Sequence, residues 1–235
     1  MAFGGCDSSH HAFKLRMNDL EVEEARDLGV YFQSNYSFSA TLNNNLKKAM
    51  AIVHIVRTTI KVRTLAILKK IYDTYFLPII TYGSEIFCSE MTMVKTAMRK
   101  GFRAFWRLSG GKFPLPDSIV DPYQECVIKS LCFFKRIQAG KTCLEFKDYF
   151  KFTNNENTRS FDKNELDPDY AKKSLRFNFF GNLASRWYND LDPEIRATSG
   201  YNAFKTEATR MVKEKFPTPP YDLRPRFVIW QAGQY

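Results

Sequence analysis

The chain has 235 residues, 44% of them hydrophobic and 15% aromatic, which supplies enough apolar surface for a real core and excludes disorder throughout. At about 100–200 residues per domain, the length fits one large or two small domains. Lysine and arginine number 35 against 25 aspartates and glutamates, and the formal +10 is localised: between Leu42 and Lys112 lie 13 cations and only Asp73, Glu85 and Glu90 as acids, while the remainder balances.

Residues 1–11 are small, polar and aperiodic and are expected to fray. Phe13, Leu15 and Met17 then alternate with Lys14, Arg16 and Asn18, a period of two that predicts a strand. Asn18-Asp19 makes a turn, and Leu20 with Val22 a second strand, giving a β-hairpin. Asp27 to Phe32 reads as a third short strand, whose Gly29 would let another backbone approach closely. From Asn43 the period becomes helical. Leu46, Ala49, Met50, Val53, Val56 and Ile60 share a face, and Ile52 and Ile55 off that face predict burial on more than one side. Thr64 caps a second helix with the face Leu65, Leu68, Tyr72, Tyr75 and Phe76, kinked or ended by Pro78. A third helix, from about Met91 to Leu108, turns Val94, Ala97, Met98, Gly101, Phe102 and Phe105 one way and Lys95, Arg99, Lys100, Arg103 and Arg107 the other. Ser109-Gly110-Gly111 stops it.

Residues 113–121, rich in proline and aspartate, form a connector, and a helix or helix pair with an aromatic face follows from about Tyr123 to Phe150. Thr153 to Asp169 is polar and weakly periodic, the expected flexible loop. Phe180, Leu183, Ala184, Trp187 and Tyr188 recur at helical spacing, and Asp192-Pro193 gives an N-cap with proline at the first helical position. A last helix uses Phe204, Ala208, Met211 and Val212, and the proline-punctuated tail from Pro217 is expected to be extended.

The longest uncharged, mostly apolar stretch runs from Thr74 to Ser84, well short of the ~20 residues of a bilayer crossing, and no signal peptide is expected at the N-terminus. Five cysteines, Cys6, Cys88, Cys126, Cys132 and Cys143, are odd in number and lack a C-x-x-C pair, so they read as buried or free thiols rather than a disulfide framework, with a reducing compartment, cytoplasmic or nuclear, as the default expectation. No Asp-Asp pair occurs that could seat the Mg²⁺ of phosphoryl transfer, and the phosphate-loop, dinucleotide, zinc-protease and esterase motifs are all absent. Cys6, His10 and His11 have metal-ligand types but no partner pair, and His54 falls on the polar side of its helix. Tyr72, Tyr75, Phe76, Phe102 and Phe105 could stack on bases, yet their shared apolar face favours core packing. The basic stripe from Lys95 to Arg107 is different, because each member faces away from the apolar side and suits a polyanion. The bland rival is a merely solvated basic face.

The order of blocks adds to this. Asp27-Leu28-Gly29-Val30, Tyr36-Ser37-Phe38-Ser39, the helix ending Arg57-Thr58-Thr59, and Ile71-Tyr72 through Leu77-Pro78-Ile79-Ile80-Thr81-Tyr82-Gly83-Ser84 follow one another in the chain. Together they resemble the end of LINE-type (non-LTR) retrotransposon reverse transcriptases, which read approximately D-L-G-V, L-S-F, R-x-F and L-Y-x-x-x-V-R-P-x-L-E-Y-G. The Val94 to Gly110 helix is similar to their next block, and Arg176 to Leu191 with Phe204-Lys205 to the terminal F-x-x-R-x-x-x-x-W-N-x-L-P and F-K pattern, so the resemblance covers about residues 13–216. Thr81 stands at the family's acidic position, and the fingers and the palm motif with paired aspartates have no counterpart here.

The resemblance implies that Leu28, Gly29 and Val30 match the palm's last strands in a primer-grip-like position. The expected fold is mainly α: a helical, thumb-like bundle with a small N-terminal antiparallel β-hairpin remnant and a C-terminal helical region. Its divisions would be a palm remnant at 1–42, basic thumb-like helices at 43–112, a helical connector at 113–152, a loop at 153–170, a C-terminal helical unit at 171–216 and a tail at 217–235. The expected function is a non-catalytic piece that grips RNA or template–primer duplex through Lys47, Lys48, Arg57, Lys61, Arg63, Lys69, Lys70, Lys95, Arg99, Lys100, Arg103 and Arg107. No catalytic residue, metal or cofactor is expected, with Mg²⁺ entering only through a complementing catalytic palm, and no membrane is implicated. The rivals are one part of a split RNA-directed DNA polymerase whose palm acts in trans, and a degenerate helical scaffold or pseudogene product without nucleic-acid function.

Overall fold

The computed structural model describes residues 16–17, 20–21, 24–33, 38–88, 92–110, 117–153, 164–168 and 179–218. Phe13, Leu15 and Val22, the Cys6-His10-His11 group, residues 113–116 of the expected connector, most of the expected loop, Arg176 and the tail beyond residue 218 lie outside them. The architecture is mainly helical with small antiparallel hairpins on the N-terminal side.

Strand β1 (Arg16–Met17) pairs with β2 (Leu20–Glu21), Met17 opposite Leu20, as the alternation predicts. The next stretch corrects its expectation. Asp27 to Phe32 is not one strand: β3 (Glu24–Asp27) and β4 (Val30–Gln33) form a second hairpin, closed at Leu28-Gly29. Both turn residues have positive φ, 46° and 86°, the two-residue turn whose twist matches the paired strands. Leucine is strained in that region, so the sequence gives no turn signal there. The Tyr31 N–H donates to Thr41 Oγ1 (2.7 Å) and the Thr41 hydroxyl donates to Tyr31 O (3.1 Å), so the first long helix covers the outer side of β4.

That helix, α1 (Ser39–Thr59), buries Leu42, Asn45, Ala49, Val53 and Val56 along one line. Ile52 packs from the side, but Ile55 is 51% and Met50 36% exposed, so α1 is not buried on several sides. Thr64 caps α2 (Leu65–Ile71), accepting from Ile67 N–H. Pro78 does not end the helix at once: a π-turn, Tyr72–Phe76, leads into α3 (Leu77–Ile80), which runs two residues beyond the proline. The wider turn accommodates a residue without an N–H. It keeps Leu68, Tyr72, Phe76 and Ile80 inward and leaves Tyr75 exposed, against expectation. The chain reverses at Gly83 (φ 70°) into α4 (Ser84–Phe87).

Helix α5 (Thr92–Trp106) lies against α1, and Tyr72, Phe76, Phe102, Phe105 and Trp106 interlock beneath it with ring centres 4.8–6.3 Å apart. Burying side chains of this size stabilises by about 1.5–3 kcal/mol each. Gly101 lies at this crossing, where a Cβ would stand 2.3 Å from Ile80 Cδ1 and 3.3 Å from Leu46 Cδ1, so those side-chain ends would have to shift to admit one.

Helix α6 (Pro122–Gln138) is the hub. Asp121, read from sequence as the end of a connector, is its N-cap: Asp121 Oδ1 accepts from Tyr123 N–H (2.8 Å), and Gln124 Oε1 accepts from Asp121 N–H (2.9 Å). Of the helix or helix pair expected from Tyr123 to Phe150, one helix forms, and Phe146–Asp148 is a single 3₁₀ turn. Around α6 pack α4, α5, α7 (Phe180–Asn189) and α9 (Tyr201–Lys215), with the short α8 (Pro193–Ala197) before α9. Asp192 precedes Pro193, but its side chain makes no capping bond. Phe152 bridges to Leu166, and Asn189 clamps Leu166, donating to its carbonyl (2.7 Å) and accepting from its N–H (2.9 Å). One contiguous core extends from Leu42 to Val212, and Cys88, Cys126, Cys132 and Cys143 are free thiols.

Candidate nucleic-acid interface

Helix α5 carries its cations opposite a face locked into the core. Val94, Met98, Phe102 and Phe105 are buried, while Arg99, Lys100 and Arg103 are exposed. At i, i+4 spacing Lys95, Arg99 and Arg103 follow one another every ~6 Å along the axis. The helix contains no acid, and among the described residues Arg99 and Lys100 carry no ion pair. Lys95 and Arg107 depart from the expectation that all five stand clear of packing. Lys95 is half-buried with its ammonium 5.3 Å from the Tyr123 ring centre. Arg107 is half-buried in the 3₁₀ turn that follows α5, and its Nε finds no acceptor among the described residues.

The remaining cations are distributed. Arg57, Lys61 and Arg63 gather where α1 ends. Arg63 donates from Nε to Ile60 O (3.0 Å) and from Nη2 to Arg57 O (2.8 Å), closing the carbonyl end of the helix. Lys70 is exposed, and Lys69 is paired with Asp73 at 2.6 Å. Lys47 and Lys48 are exposed about 15 Å up α1 from Arg57, on different sides of the helix. Two groups therefore emerge, the α5 stripe and the α1–α2 corner.

The hairpin tip divides its three residues. Leu28 is 84% exposed. Val30 is buried against Gly83, and Tyr82 Oη donates to Leu28 O (2.6 Å), fixing the turn on the helical body. Thr81, at the position where the resemblance has an acid, is fully buried and accepts from Lys129 Nζ (2.8 Å). Nearby, burial pushes the Glu125 carboxyl above its ordinary value, opposed by Lys129 and Lys205.

Sequence reasoning missed a cleft of about 240 Å³ beside the start of α6, where Lys95, Arg99 and Lys215 meet over Tyr123 and Phe216, with Asp121 in the wall. Lys215 is far from Lys95 in the chain, and no local pattern joins them. No family model, curated protein or solved structure matches this chain. Among the described residues no group of three or more His, Cys, Asp or Glu converges as a metal site, and no helix is long and apolar enough to cross a membrane.

Proposed function

We propose that the chain is a non-catalytic nucleic-acid-binding module, related to the C-terminal part of LINE-type reverse transcriptases, that grips RNA or template–primer duplex through α5. One observation carries this reading: Arg99, Lys100 and Arg103 are exposed on one side of a helix that contains no acid and whose other side is fixed in the core. Such a face is held in place before binding and attracts phosphates without regard to base sequence. The block order described above supports that lineage, and Leu28, presented on a braced turn, fits the primer-grip-like position that the resemblance gives it. The chain has no Asp-Asp pair, so the reading assigns it no polymerase chemistry of its own.

A salt series with labelled duplex and single-stranded RNA tests the proposal. The logarithm of affinity should fall linearly with the logarithm of salt concentration, by about 0.9 per phosphate engaged on duplex. Affinity indifferent to salt defeats it. A second reading, a palm acting in trans, is favoured by β3, which pairs only with β4 among the described residues. Its open edge could accept a strand from another chain. Primer extension with Mg²⁺ should then rise when a palm-containing partner is added, and no gain removes that reading.

A further inference from the structure

The cleft beside α6 holds its cations differently from the rest of the basic surface. Lys95 Nζ lies 5.3 Å from the Tyr123 ring centre and Lys215 Nζ 5.9 Å from that of Phe216, and the two rings meet edge to face at 5.6 Å. An aromatic face attracts an ammonium without neutralising it, so Lys95 is positioned yet remains available, whereas Lys215 is also held by Asp190. Arg99 adds a guanidinium whose fork suits phosphate oxygens. The opposing charges are Asp121, whose Oδ1 already accepts from Tyr123 N–H, and Asp190, which pairs with Lys215 from outside the lining. The lining carries three cations and one carboxylate, and Asp190 offsets Lys215, so the two positive charges that match a phosphate dianion are reached when the phosphate takes Asp190's place on Lys215. At about 240 Å³ the cleft falls below the ~300 Å³ at which small-molecule pockets begin, so it suits a phosphate group rather than a whole nucleotide. Lys95 and Arg99 are also the first members of the α5 stripe, so a strand with its end in the cleft would meet Arg103 next.

We propose that this cleft holds the terminal phosphate monoester of a nucleic-acid strand whose following phosphodiesters lie along α5. It deepens the nucleic-acid reading and rests on it. A monoester carries nearly two charges at neutral pH against one for a diester, and the second charge is what three converging cations select.

The test compares oligonucleotides of one sequence bearing a 5′-phosphate, a 3′-phosphate or only hydroxyl ends, bound to the full chain. One phosphorylated form should bind about five- to tenfold tighter than the hydroxyl form. That preference should grow between pH 5.5 and 7.5 as the phosphate's second proton, with a pKa of about 6, is lost. Lys215→Gln should bring the ratio of phosphorylated to hydroxyl-ended affinity to about one, and the ratio is the readout because Lys215 lines the cleft that either strand end enters. Equal affinity for all three strands in the unaltered chain overturns the cleft assignment while leaving the proposed function standing. So does a preference that survives Lys215→Gln. If no oligonucleotide binds, the proposed function fails, and inorganic phosphate decides the cleft alone: a Lys215-dependent rise in thermal midpoint supports an anion site, and its absence overturns one.

Discussion

Helices α5 and α9 are a natural pair for comparison. Each spans 15 residues and carries four lysines or arginines. Their dry faces do the same work, with Val94, Met98, Phe102 and Phe105 in one and Phe204, Ala208 and Val212 in the other buried in a single core. Their wet faces differ. Arg210 on α9 is held by Glu207 (3.1 Å) and Glu214 (2.9 Å), Lys215 pairs with Asp190, and Lys213 donates to Asp117 O (2.6 Å). Exposed pairs of this kind add only ~0–1 kcal/mol to stability, so the placement of acids hardly matters to the fold. It matters to the field outside. A cation with an acid three or four residues away projects little charge, and one without projects nearly all of it, so counting cations alone does not locate a polyanion-binding face.

The comparison breaks most directly by removing charge from each helix in turn. Replacing Arg99, Lys100 and Arg103 together by glutamine should weaken duplex binding roughly 100-fold near 0.15 M salt and reduce the salt slope by about 2.7. The matching replacement of Lys205, Arg210 and Lys213 should change affinity less than about threefold. Equal losses from the two triples would mean that net charge alone governs binding, and α5 would lose its special place.

A second change acts on the dry side. Gly101→Val forces new methyls toward Ile80, which is itself 1% exposed and has little room to yield. Overpacking at such a site should cost about 2 kcal/mol net and lower the melting midpoint by about 4–8 °C. Nucleic-acid affinity per folded molecule should fall as well, if the stripe depends on how α5 is seated. A midpoint unchanged within a degree would show that the crossing is looser than described.

This dry side was legible in the sequence because helical period survives without knowledge of neighbours. Val94, Met98, Phe102 and Phe105 announce themselves, as do Phe204, Ala208 and Val212 and the cap at Thr64. Features that depend on geometry beyond one turn were not. Leu28-Gly29 is a turn built with a strained leucine rather than asparagine. The π-turn rotates Tyr75 away from the face that an unbroken helix would give it. A helical wheel placed Lys95 and Arg107 on the wet side, but Tyr123, which comes up beside Lys95, belongs to another helix. For the same reason the meeting of Lys95 with Lys215 could not be read from spacing.

A gentler change gives α5 what α9 already has. Thr96 is exposed, three residues before Arg99 and four before Lys100. Thr96→Glu should pair with both in the favourable orientation, leaving stability level or a few tenths of a kcal/mol higher. Binding should nonetheless weaken about tenfold, since one negative charge is added and two cations are drawn aside. Undiminished affinity would show that the stripe does not face the ligand.

The smallest effect concerns the hub rather than the stripe. Glu125 on α6 has its carboxyl raised above the ordinary value near 4.5, first by burial, with Lys129 and Lys205 opposing and Glu85 and Asp73 adding to it. An acid with a raised folded-state pKa holds its proton more tightly when folded, so folding is favoured by protonation. Stability is therefore fully present below the unfolded value and declines as pH rises through the folded one. Glu125→Gln removes that decline. The variant should match the parent chain in acid and melt a few degrees higher at neutral pH, with its nucleic-acid affinity unaltered because Glu125 lies off the α5 face. Should the parent and variant instead show parallel pH profiles, Lys129 would be neutralising Glu125 fully, and the ammonium that donates to Thr81 Oγ1 at 2.8 Å would be serving both neighbours at once.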